Sequence, residues 1–181
     1  MQAETGYVSM TGTDDDHLAK VPIALIDVLA AHQLKEGLLL ALWHRERTGE
    51  GSFVEVSLEA AALSGLINQA SNFLMSGAVA GPLGTLHPNI APYGEVFRCA
   101  DAGRIILAVG SDRQFLALCD ALGEPQLASD PRFSSNLERL RHRAELGASL
   151  LRLIGSRLRD ELLHQLEQQG VPAGAVLSMD E

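Results

Sequence analysis

A chain of 181 residues, 46% apolar and 20% charged, can fold as one ordinary domain or two small ones and is too apolar to stay disordered. Its formal net charge of −9 excludes the broad basic surface that a nucleic-acid partner requires. No apolar run reaches the roughly 18 residues of a membrane span. The polar, acidic start Met1–Asp16 lacks the basic and apolar blocks of a secretory signal, so a cytoplasmic protein with no membrane partner is expected.

Residues 1–20 show no helical period and read as loop, with Gly6, Gly12 and the run Asp14–Asp16. Pro22 opens a long helix, because a first-turn proline gives up an N–H that has no partner anyway. Thr48 and Gly49 stop it, after Arg45 and Arg47 in the last turn. Leu38–Trp43 is apolar around the whole helix, which predicts burial by more than one neighbour. Phe53–Val56 alternates as a short strand would, and Ser57 is placed to cap a helix over Leu58–Ser76. A Gly- and Pro-rich loop follows from Gly77 to Pro92, so the domain boundary is placed there, giving 1–76 and 77–181.

The second half starts with a predicted hairpin, Tyr93–Cys99 and Arg104–Val109, turned at Ala100–Gly103. Ser111 and Gln114 form a capping box for a helix that ends at Gly123. Asp130 and Pro131 begin another helical segment. The arginines of Arg139–Arg143, set among Glu138 and Glu145, read as a solvated helix face. Helices over Ala144–Ile154 and Arg157–Gln169 follow, and Gly170 stops the second. Ala175–Leu177 reads as a strand whose partner lies outside the chain. Cys99 and Cys119 sit in apolar runs without metal-ligand spacing, so both are expected as buried thiols in a reducing compartment. The fold class expected for this stretch is α+β, helices with a small antiparallel sheet.

Nucleophile-elbow, Walker, dinucleotide and zinc-protease motifs are all missing, and no histidines lie at ligand spacing, so no metal is expected. Asp27 stands out as a lone carboxylate in the apolar run Pro22–Ala31. A buried carboxylate needs compensating donors or charges, which marks either a functional site or a first-turn acid favoured by the helix dipole. Asp112 follows the cap Ser111, where the dipole alone favours an acid. His87, in Leu86–Asn89, belongs to a loop where either turn chemistry or function accounts for it. Tyr93 reads as a packing residue at the end of that loop.

Several segments, in order along nearly the whole chain, resemble the class III CoA-transferases of the CaiB/BaiF type. They are Gln2–Gly6 with Thr11 and Gly12, Val21–Ala24 with Asp27, Ala41–Gly51, Val54–Leu58, His87–Tyr93, Asp130–Phe133 and Gly170–Gly174. The resemblance implies an internal piece of an α/β protein: the end of a Rossmann-like large domain with long helices, then a small domain with a short antiparallel sheet. It implies Asp27 as nucleophile and His87, Pro88, Asn89, Tyr93 and Asp112 as substrate-binding residues. Coenzyme A enters as the acyl-CoA substrate with no permanently bound cofactor, a carboxylic acid is the acceptor, and members form interlocked homodimers. In the implied chemistry the aspartate attacks a thioester, and CoA passes through an aspartyl thioester to the acceptor. Two other readings stay open. One is a 2-methylacyl-CoA racemase of the same superfamily, whose glutamate would fall at Asp112. The other is a folded fragment or dimerising module without activity.

Overall fold

The computed structural model describes all residues, Met1–Glu181. It is α+β, with nine α-helices and a three-stranded antiparallel sheet. The chain divides into two compact units, Met1–Gly84 and Thr85–Glu181. No helix is long and apolar enough to cross a membrane.

The first unit is helical. Helix α1 (Tyr7–Met10) lies in the stretch expected to be loop, and it has a packing role. Tyr7 is buried with Ile26 and Ala62, and its hydroxyl donates to the carbonyl of Ala62 at 2.8 Å. Helix α2 (Leu25–Thr48) begins three residues after Pro22 and ends at Gly49, whose φ of 79° only glycine adopts without strain. The expectation that α2 would be enclosed by several neighbours is corrected. Leu38, Leu39, Leu40, Leu42 and Trp43 are each at least half exposed, because only a few elements of this unit reach the helix.

Phe53–Val56 is not a strand. The first unit has no sheet whose edge could take its backbone, so Phe53 stands 89% exposed. Val54 instead packs on α2 at Gly37, where an added Cβ would meet its Cγ1 at 2.6 Å. The helix expected over Leu58–Ser76 is two helices, α3 (Leu58–Ser64) and α4 (Ile67–Ser76). Ser57 caps α3 through the N–H of Ala60. The break falls at Gly65, where any side chain would collide with the Tyr7 hydroxyl and approach Leu29. Ile67 follows with a φ of 44°, a strained value for a β-branched residue.

The second unit closes around a sheet. Strands β1 (Tyr93–Arg98) and β2 (Arg104–Ala108) form the expected hairpin, with Phe97 opposite Ile105 and a register irregularity between Tyr93 and Val96. Strand β3 (Ala173–Ala175) pairs antiparallel with β2, Leu107 opposite Ala173. The C-terminal strand therefore finds its partner inside the chain, by a pairing with no local signal.

Helices α5 (Asp112–Leu122), α6 (Pro125–Ser129), α7 (Asn136–Arg141), α8 (Arg143–Gly155) and α9 (Arg159–Gln168) complete the unit, with a single 3-10 turn at Pro131–Phe133. The capping box of Ser111 and Gln114 is formed. Phe97, Ile105 and Leu107 of the sheet pack against Phe115, Leu146 and Leu162 of the helices. Cys99 and Cys119 lie free in this core, and burial pushes the Cys119 thiol up to about 12.

Candidate active site

Asp27 sits in the first turn of α2. It is exposed, so the desolvation argued from its apolar run does not arise within this chain. The buried member of that turn is Ile26, and Asp27 emerges beside Ile23 and Val28, themselves 60% and 49% exposed. Ala24 at the helix start offers no side-chain cap, so the first N–H groups of α2 keep their donor capacity beside the carboxylate. Leu66 packs on the cluster around Ile26 and also lines an apolar groove of about 340 Å³ with Met10, Ala70 and Phe73. The groove meets the cluster around Tyr7, Ile26 and Ala62 through Leu66 and is not lined by Asp27 itself.

The other predicted residues belong to the second unit, where His87–Tyr93 is a tightly braced loop. Gly94 follows at a φ of 79°, so close to the carbonyl of Thr85 that a Cβ would overlap it. The N–H of His87 donates to the carbonyl of Tyr93 at 3.0 Å. The His87 and Tyr93 rings meet edge to face with centroids 5.2 Å apart. The N–H of Asn89 donates to Nδ1 of His87 at 3.1 Å. Pro88 is half-buried between them, and the Ala91–Pro92 peptide is cis.

What braces this loop is the segment read as a solvated basic face, and that reading is corrected. Arg139 is 1% exposed. Its Nε donates to the carbonyl of Ala91 at 2.7 Å and one terminal nitrogen to the carbonyl of Phe133 at 3.1 Å. The other donates to Oδ1 of Asp112 at 2.6 Å, and the guanidinium lies 4.5 Å over the ring of Phe115. Arg143 reaches the carbonyls of His87 and Ile90, both at 2.7 Å, from a single terminal nitrogen. Asn136 donates to the carbonyl of Asn89 at 2.9 Å and accepts from the N–H of Ala91 at 3.1 Å. Arg141, between them, points outward to Glu138. Arg139 and Arg141 lie on different faces of α7 while Arg143 opens α8, a distinction that charge counting missed.

Asp112 is therefore joined to the loop through Arg139, while most of its carboxyl surface stays exposed. A second carboxylate, Glu95, is buried beside Arg143, with Oε1 at 3.7 Å from Nε. Neither atom has a hydrogen-bond partner. Burial pushes the Glu95 carboxyl up from its ordinary range, and the positive charge of Arg143 only partly opposes this. Sequence reasoning passed over Glu95, though its place on a strand beginning Tyr-Gly-Glu-Val, one residue from the glycine bulge, was a signal available. No group of three or more His, Cys, Asp or Glu side chains is arranged to hold a metal ion. A hollow of about 670 Å³ along α9 and Gly170–Gly174 includes none of the predicted site residues.

A family model for CoA-transferase family III matches residues 1–181. The chain belongs to CoA-transferase family III. This family III chain is 36% identical over 181 residues to the succinate–glutarate CoA-transferase of Agrobacterium fabrum, covering 100% of itself and 45% of that relative. It is 32% identical to the acetyl-CoA:oxalate CoA-transferase of Acetobacter aceti, covering 100% of itself and 46% of that protein. Among solved structures it is similar to a CaiB/BaiF family protein from Brucella suis, with a TM-score of 0.78 at 36% identity over 99% of this chain and 47% of that one. A hypothetical protein from Mycobacterium tuberculosis gives a TM-score of 0.83 at 28% identity, over 98% of this chain and 46% of that one. The family III chain thus spans about half the length of the curated relatives it matches.

Proposed function

We propose that this chain is part of a CoA-transferase that moves CoA from an acyl-CoA thioester to a carboxylic acid, with Asp27 as the nucleophile. The observation that carries the reading is the placement of Asp27: an exposed carboxylate in the uncapped first turn of a 24-residue helix, bordered by exposed apolar side chains. Residues 1–76 are then the end of the large domain and 77–181 the small domain, a division close to that between the two compact units.

The Asp27 carboxylate attacks the thioester carbonyl, the C–S bond breaks, and a mixed anhydride forms with CoA thiolate released. The thiolate attacks the aspartyl carbonyl, leaving an aspartyl-CoA thioester and the donor's free carboxylate. The acceptor carboxylate attacks that thioester, and the thiolate returns to the acceptor's carbonyl, which restores Asp27. A carboxylate is a weak nucleophile, so the steps need a water-poor site and donors for each oxyanion. The first-turn N–H groups of α2 supply donors. The apolar surface around Asp27 supplies a dry wall once a partner surface covers it, and a second copy of the chain in a homodimer is the partner we assign. Succinate, glutarate and oxalate in the names of the relatives make small dicarboxylates the first acceptors to test. Turnover is assigned to a protein of the relatives' length. The racemase reading is not favoured, since one oxygen of Asp112 is engaged by Arg139.

The test is intact mass after incubation with succinyl-CoA, with Asp27→Asn as control, on this chain and on a version extended to the relatives' length. A hydroxylamine-sensitive CoA adduct on the extended protein, lost in the variant, is expected. Turnover that survives in Asp27→Asn would overturn the assignment.

A further inference from the structure

Strand β3 gives its inner edge to β2, and no strand takes its outer edge, since it stands last in the order β1-β2-β3. The N–H groups of Ala108 and Val176 donate to the carbonyls of Pro172 and Arg104, each at 2.9 Å, and Gly174 lies opposite Ile106. Bonded positions alternate along an antiparallel ladder, so Pro172, Gly174 and Val176 face β2. Ala173 and Ala175 therefore aim their N–H and carbonyl groups away from the sheet. An edge left in this way is a template for a further extended segment.

The hollow of about 670 Å³ runs beside that edge. Gly170, at a φ of 68°, turns the chain from α9 back into β3, so the helix and the strand form its two walls. The helix wall is Asp160, Leu163, His164 and Glu167, one stripe at helical spacing next to the buried Leu162 and Leu166. The strand wall is low: a Cβ at Gly170 or Gly174 would meet nothing within 4 Å. A free backbone edge thus lies open beside a helix face. A peptide that adds there as a strand bonds to the edge and lays alternate side chains against the helix.

The charge of the helix wall selects among peptides. Asp160 pairs with Arg159 at 2.8 Å, and His164 meets Gln168 at 2.8 Å. Glu167 has no basic partner and stands in the last turn of α9, which carries no basic residue. The carbonyl end of a helix is its negative pole, so this wall favours a cation. Two copies joined edge to edge would bring two such walls together on chains of net charge −9. We propose that β3 and α9 form a docking groove for an extended segment of another protein, with an apolar residue against Leu163 and a lysine or arginine beside Glu167. The groove belongs to the second unit alone and is independent of the chemistry at Asp27.

The test titrates two capped five-residue peptides into the full chain labelled with 15N, one alternating lysine with valine and one alternating glutamate with valine. The lysine peptide should move the Ala173 and Ala175 N–H signals downfield, saturably, and slow their hydrogen exchange. Gly174, already turned to β2, should stay in place, and the glutamate peptide should move none of the three. Ala175→Pro removes an outward donor and no bond to β2, so it should bind the lysine peptide roughly tenfold more weakly. Glu167→Gln should weaken binding about threefold, and it decides the matter if Ala175→Pro does not fold. Silence at Ala173 and Ala175, or undiminished binding in the folded variants, overturns the groove. Equal response to both peptides overturns the basic partner. Shifts that appear on concentrating the chain alone assign the edge to a second copy, and a silent edge in a protein of the relatives' length assigns it to the added sequence; either overturns the proposal.

Discussion

Arg139 shows how differently one side chain's contacts contribute. Removing it strands two buried carbonyls, those of Ala91 and Phe133. Each unsatisfied buried group costs about 1–3 kcal/mol. The carboxylate of Asp112 is mostly exposed but its partner Arg139 is buried, and asparagine at 112 keeps an oxygen that accepts from the guanidinium while removing the charge. Arg139→Met is therefore expected to lower stability by about 2–4 kcal/mol, and Asp112→Asn by less, because the hydrogen bond survives and no carbonyl is stranded. Urea denaturation of both variants checks this; equal losses would mean that the ion pair, not the carbonyls, carries the effect. Glu95 has the opposite sign. Its folded-state carboxyl is raised by burial, so the stability it contributes is fully present below the ordinary glutamate range and is lost as pH rises through the raised value. Glu95→Gln mimics the protonated form and should be more stable than the unaltered chain at neutral pH. The difference should vanish on acidification, followed by thermal melts across pH. At this scale the sequence was partly legible. The position of Asp27 on its helix was readable, but its exposure was not, because an apolar run signals burial only where a neighbour exists to provide it. Arg139 and Arg143 were hidden by their acidic neighbours in sequence, since a mixed-charge stretch gives no sign of which face turns inward.

Among the elements, those with local chemistry were readable. The β1–β2 hairpin follows from its turn, and α5 from its capping box. The β2–β3 pairing joins residues far apart in sequence and leaves no such mark. Phe53–Val56 had the right period but no sheet edge to join, and the split of α3 from α4 depends on Tyr7 needing the space at Gly65. The junction of the loop with β1 shows the same dependence on a distant contact. Gly94 combines a left-handed φ with a near approach of the Thr85 carbonyl, and the first alone costs about 1–3 kcal/mol for a residue with a side chain. Gly94→Ala is expected to destabilise by about 2 kcal/mol or more and to free the loop's N–H groups for hydrogen exchange ahead of the sheet. Protection of the His87 N–H equal to that in the unaltered chain would show that the backbone absorbs the methyl without strain.

For the whole molecule the decisive quantity is apolar surface left in water. Helix α2 exposes Leu39 and Leu40 at 60% and 64%, and Trp43 at 59% beneath the guanidinium of Arg47. A monomer seldom leaves so many large side chains of one helix in solvent unless that surface meets a partner. The net charge of −9 opposes association of like chains, and salt screens that repulsion. Trp43 is the chain's single tryptophan, so its emission reports on this helix alone. At low concentration and low salt the emission is expected at the wavelength of an exposed indole and open to quenching by acrylamide. Raising the concentration or the salt should shift it to the blue and protect it, as the face of α2 is covered by another copy. Leu39→Glu places a charge in that face and should hold the emission at its exposed position throughout. An emission that ignores concentration and salt in the unaltered chain would mean that copies of these residues do not pair through α2, and that the surface is covered by a different sequence.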